Sequence, residues 1–213
     1  RNPVSAYLSA NYGTRPIQFT NMERVEIRNC VFRNIYGSGM AIGVTKSGIV
    51  ENNEFYRVGA RQQNPPDATG DAISVYAYCK DIQVLNNYCE LSDVAVPSGT
   101  YQYGRCGISI DDQSMRVLVS GNKIIGYERG LHIENCRDVT ITKNHVSRSP
   151  ASTSTFNKNC LWEGNIFDGY NLLQESDLSG TGLFWTAEEE GCIYHNNIFR
   201  RWEGDGGENI YLV

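Results

Sequence analysis

The stretch "GLHIENCRDVTITKNHV" (residues 130–146) decides the fold of this chain. It contains two short apolar alternations, Leu131-x-Ile133 and Val139-x-Ile141, the second running on to Asn144 and Val146. Period-two alternation over so few residues signals short strands rather than a helix. His132 and Glu134 occupy the opposite beat of the first strand. Whether they carry chemistry depends on what the strand belongs to.

The same layout recurs along the chain. A segment of apolar-x-x-Asn-x-apolar form appears as "VENNEF" (50–55), "VLNNYC" (84–89), "VSGNKI" (119–124), "ITKNHV" (141–146), "WEGNIF" (162–167) and "YHNNIF" (194–199). An earlier copy, "IRNCVF" (27–32), carries Cys30 where the others carry Asn. A second segment, with apolar residues two apart after a small residue, appears as "AIGV" (41–44), "AISV" (72–75), "GISI" (107–110), "GLHI" (130–133), "GLFW" (182–185) and "NIYL" (209–212), with "PIQF" (16–19) before them. From the first apolar residue of this strand to the next Asn-column member is 11 to 14 residues, from Ile17 to Cys30 at one end and Leu183 to Asn197 at the other. The return from the column to the next strand varies from 9 to 21. All the length variation therefore enters at one edge of a coil.

Coils of this length, built of short strands without an amphipathic helix, predict an all-β chain: a single right-handed parallel β-helix of about seven to eight coils spanning residues 1–213. Leucine-rich repeats share the period but need an L-x-x-L-x-L spacing that is absent. Equivalent residues of successive coils stack about 4.8 Å apart. An inward Asn at a bend can then bond its counterparts above and below, which predicts an asparagine ladder. Cys160 and Cys192 fall into one column, and Cys79, Ser114 and Cys136 into another. One coil is weak: the strand expected near Thr153 reads "ASTSTF" (151–156).

Composition narrows the partners. The net charge of -5, with no basic stripe, argues against nucleic acid. No apolar run is long enough to span a membrane, and no signal peptide is visible. The chain starts at Arg1 rather than Met and is read as a piece of a longer one. Its seven cysteines form no C-x-x-C pair, so buried free thiols are expected rather than zinc ligands.

Alternating coils with an Asn column resemble the right-handed parallel β-helix of the pectate-lyase-like superfamily, over nearly the whole chain. Within it, the chain is most similar to the β-helix of bacteriophage tailspikes, the polysaccharide depolymerases. That resemblance implies an extracellular or virion-tail location, a homotrimer and a bacterial surface polysaccharide as substrate.

Residues between the inward apolar positions of the strand segment face outward. Three outward columns are predicted. The first holds Met40, Asp71, Cys106 and Arg129; the second Gly43, Ser74, Ser109, His132 and Phe184; the third Thr45, Tyr76, Asp111, Glu134 and Thr186. Asp111 and Glu134 thus stack in adjacent coils, with His132 beside them. A carboxyl pair is what glycoside hydrolysis needs, about 5 to 5.5 Å apart for retention or about 6.5 to 9.5 Å for inversion. Asp111 and Glu134 are therefore the candidate catalytic residues of a glycoside hydrolase, and no metal is assigned to them. His132, Arg129, Asp112, Asp71, Tyr76, Tyr101, Tyr103 and Trp185 are candidate substrate-binding residues, the aromatic ones as flat surfaces for sugar rings. The insertions at 59–69, 92–104 and 168–180 are expected to wall this face. A lyase or epimerase, with an Arg base and calcium held by acids such as Asp71, Asp111 and Asp112, is the alternative enzyme class. A non-catalytic glycan-binding or fibre module is the alternative outside enzymes. "AEEEG" (187–191) reads as a solvated turn.

Overall fold

The computed structural model describes residues 17–35, 37–59, 70–91, 106–149, 151–169, 183–200 and 210–212. Every strand pairing among them is parallel, in three sheets of eight, seven and seven strands. The first sheet runs through Ile17–Thr20, Met40–Gly43, Ile73–Tyr76, Cys106–Ile110, Arg129–Glu134, Ala151–Thr155, Phe184–Ala187 and Ile210–Leu212. Each coil passes from the first sheet to the second, then the third, before climbing to the next. This is the parallel β-helix expected from the repeat. The three insertions fall on the third-to-first connection, and almost all of their residues lie outside the described ones.

The ladder stands where the Asn column predicts it, between the second and third sheets. Asn53, Asn87, Asn122, Asn144 and Asn165 are each 1% exposed or less. The Oδ1 of Asn122 accepts from both the backbone N–H (2.9 Å) and the Nδ2 (3.0 Å) of Asn87. Its own Nδ2 donates back to Val84 O at 2.9 Å and on to Asn144 Oδ1 at 2.9 Å. One amide therefore satisfies polar groups in the coils on either side, which a buried turn could not otherwise do.

Between the sheets the core is a stack of aliphatic rows closed by aromatic contacts. Phe32 lies on Phe55 with centroids 4.5 Å apart, and Trp162 meets Phe184 edge-on at 4.9 Å. The small residue that opens the strand segment has a steric cause. A Cβ on Gly130 would lie 2.1 Å from Val146 Cγ1, and one on Gly107 2.3 Å from Ile124 Cγ2. All seven cysteines are free, five of them buried.

The register corrects several expectations. Met40 pairs with Ile73, and Ile42 with Val75. Met40 is therefore a core residue with no exposed surface, not an outward one. Gly43 lies opposite Tyr76, and Thr45 is buried beside Cys79, its N–H donating to Cys79 Sγ. At the far end Trp185 pairs with Thr153, so Phe184 and Thr186 turn inward. The weak coil is a full strand, Ala151–Thr155, buried throughout. Its inward hydroxyls are satisfied: Leu131 N donates to Ser152 Oγ and Ser154 Oγ to Glu189 Oε1. Within that turn Glu189 is half-buried rather than fully solvated. It receives Ser154, Asn157 Nδ2 (3.0 Å) and the Tyr194 hydroxyl (3.2 Å), while Glu188 and Glu190 face solvent.

Candidate functional site

The site is built by the stacking of two adjacent strands of the first sheet. Ser109 pairs with His132 and Ile110 with Ile133, which carries Asp111 alongside Glu134. Inward Ile108, Ile110, Leu131 and Ile133 have no exposed surface and fix the phase of both strands. The residues between them have no choice but to face outward.

His132 is the centre of the group. Its Nε2 lies 3.0 Å from Glu134 Oε2 and 3.4 Å from Asp111 Oδ1, and its Nδ1 lies 2.5 Å from Thr153 Oγ1 of the next coil. An ionised carboxylate only accepts hydrogen bonds, and a protonated carboxyl still accepts through its carbonyl oxygen, so Nε2 carries a proton toward the two acids. In the neutral ring Thr153 then donates to Nδ1. Ser109 Oγ donates to Asp111 Oδ2, holding that carboxylate from below. The His132 side chain is 5% exposed, that of Asp111 16% and that of Glu134 46%. Exposure thus rises from the orienting ring to the outermost acid. Burial of His132 and the brace from Ser109 make the inner part of the group rigid.

One donor atom from each of Asp111, His132 and Glu134 lies within 4.8 Å of the other two. Among the described residues this is the set that could hold a cation. Oxygen and imidazole donors of this kind suit a borderline or hard divalent ion.

The remaining candidate residues are spread around this core. Arg129 is half-buried at the start of the strand that carries His132, three residues before the ring and aligned with Cys106 and Ala151. Asp112 is exposed in the turn after Asp111. Tyr76 stands in the coil before Asp111, its ring lying over Gly43 and its hydroxyl accepting from Gln18 Nε2 at 2.9 Å. Trp185 is half-buried two coils beyond His132, in the same column through Thr153. Asp71 departs from the outward position expected of it: it is 2% exposed and presents almost no surface to a polymer. Tyr101 and Tyr103 lie outside the described residues. Thr153 was hidden from sequence reasoning by the polar composition of its strand. Only its spacing from the Asn column marks it.

Residues 15–199 match the family described as "Right handed beta helix region", and the chain belongs to that family. Among solved structures, it is similar to one titled a "putative glycosyl hydrolase" from Parabacteroides merdae, at 11% identity and a TM-score of 0.47, covering 82% of this chain and 80% of that one. No curated protein matches the sequence.

Proposed function

We propose that the chain is a glycoside hydrolase that binds a polysaccharide along the first sheet and cleaves it with Asp111 and Glu134. The observation that carries this reading is the pairing of two carboxylates, one braced and one half-exposed, across a single coil step around a buried imidazole. Their oxygens lie within 4.8 Å of each other, near the shorter separation associated with retention. Asp111, held by Ser109 and His132, is the nucleophile toward the anomeric carbon. Glu134, facing solvent, protonates the leaving glycosidic oxygen and then, as carboxylate, takes a proton from the water that releases the glycosyl-enzyme. His132 positions both acids.

The 5% exposure of the His132 side chain speaks against this ring as the base of a lyase or epimerase, and Arg129, the base of that alternative, is half-buried. A tailspike-type depolymerase, acting as a homotrimer on bacterial surface polysaccharide outside the cell or on a virion tail, is the specific form we propose. Its support is the similarity of the coil repeat. A screen of bacterial polysaccharides read by product size tests the activity, and light scattering tests the trimer. Unchanged polymer size with a glycan that binds would favour a purely binding module.

A further inference from the structure

The turn that follows the first sheet carries a column the catalytic reading does not use. Tyr78, Gln113, Asn135 and Phe156 occupy equivalent positions in four successive coils. The bridges Lys80 to Met115, Met115 to Arg137 and Arg137 to Lys158, two residues further on, fix that register. All four have left-handed backbones, with φ of 65°, 64°, 52° and 56°. Asn adopts this conformation readily, whereas an aromatic residue there is strained. Neither ring gains core packing in return: Tyr78 is 56% exposed and Phe156 51%. Local structure and burial both disfavour aromatic residues at these two positions.

Between the two rings, three coil steps or about 14 Å apart, lies a cavity of about 300 Å³. Gln113 and Asn135 line it, Met115 and Arg137 line the adjoining column, and Cys136 is buried beneath. The Arg137 guanidinium donates to Met115 Sδ at 3.2 Å, a weak acceptor, and forms no ion pair with a carboxylate of the described residues. Lys158, by contrast, is paired with Glu190 at 2.7 Å. Asn135 directly follows Glu134, and Gln113 is two residues past Asp111, so the cavity adjoins the carboxyl pair.

We propose that this turn groove is a subsite for a carboxylate-bearing sugar unit of the polymer. Tyr78 and Phe156 close its two ends with ring faces. The amides of Gln113 and Asn135 exchange hydrogen bonds with hydroxyls, and the Arg137 fork takes the carboxylate, a match in geometry as well as charge. The choice of a saccharide rests on the function proposed above; the groove and its charge preference do not depend on cleavage.

Binding of alginate and hyaluronan oligomers, with dextran as the uncharged control, tests this by titration calorimetry at low salt. The variants are Arg137→Gln, Tyr78→Asn and Phe156→Asn, each followed by thermal melting. Replacing an aromatic residue by Asn at a left-handed position relieves strain, so both Asn variants are expected to melt no lower than the parent. Their affinity for an acidic oligomer is expected to fall at least about fivefold, and that of Arg137→Gln about tenfold or more. Binding unchanged in both Asn variants would overturn the proposal. So would dextran binding as tightly as the acidic oligomers, or neither acidic oligomer binding the parent protein. If no polymer is cleaved but charge-dependent binding responds to these variants, the hydrolase reading fails and the subsite stands. If cleavage persists while the variants bind like the parent, the subsite fails and the hydrolase reading stands.

Discussion

His132 Nε2 lies 3.0 Å from Glu134 Oε2, two residues along the same strand face, with the ring buried and the carboxyl half-exposed. A ring placed this way touches the acids rather than the polymer. Replacing it with alanine, His132→Ala, is expected to lower kcat by about 100-fold, at the low end of a general acid–base contribution, while KM changes little. Steady-state kinetics on the cognate polysaccharide checks this. A raised KM with kcat intact would place the ring on the substrate instead.

The separation of the acids predicts stereochemistry. Asp111 and Glu134 oxygens lie within 4.8 Å, so the first-formed product is expected to retain the anomeric configuration of the bond cleaved. Proton NMR of the fresh product distinguishes the two outcomes, and inversion would mean that the acids work from the wider separation that leaves room for an attacking water.

The same three donors could hold a cation, and the proposed hydrolysis needs none. Activity after exhaustive chelation is expected to equal that before. Activity lost on chelation and restored by calcium would move the assignment toward lyase chemistry.

The ladder predicts a stability effect far from the site. Asn122→Ala removes the acceptor for the Asn87 N–H and Nδ2 and the donor to Val84 O. Buried groups left unsatisfied cost about 1–3 kcal/mol each, so a loss of at least about 3 kcal/mol is expected in urea unfolding. A loss below about 1 kcal/mol would mean that water replaces the amide.

Burial also predicts an alkaline limit. It pushes the Cys160 thiol from its ordinary 9.0 up to about 11, and raises Cys79, Cys89 and Cys136 as well. The folded chain keeps protons that the unfolded chain releases above about pH 9. Their contribution is therefore complete below that pH and declines as pH rises toward 11 and beyond. Melting temperature should be flat near neutrality and fall above pH 9. A constant value up to pH 11 would contradict this.

Much of the fold was legible because the asparagine column is a chemical necessity repeated at near-constant spacing. Where sequence and structure differ, the cause is phase. Taking Ile42 as the first inward residue gives the outlying spacing of 11 to Asn53; Met40, the residue that pairs with Ile73, gives 13. Similarly, "GLFW" offers two apolar alternations, and packing of Phe184 against Trp162 chooses between them. The stacking of Asp111, His132 and Glu134 follows from register alone. Thr153 does not stand out because its strand is filled with hydroxyls whose partners come from other coils. Tyr78 and Phe156 escape notice in the sequence because turn positions with positive φ are searched for Asn and Gly, not for aromatic residues.

The most direct test of the carboxyl pair is product size from the cognate polysaccharide with Asp111→Asn and Glu134→Gln, both isosteric at these positions. Each is expected to cut kcat by about 100- to 10,000-fold with the melting temperature nearly unchanged. If both variants depolymerise at the parent rate, Asp111 and Glu134 are not the catalytic acids.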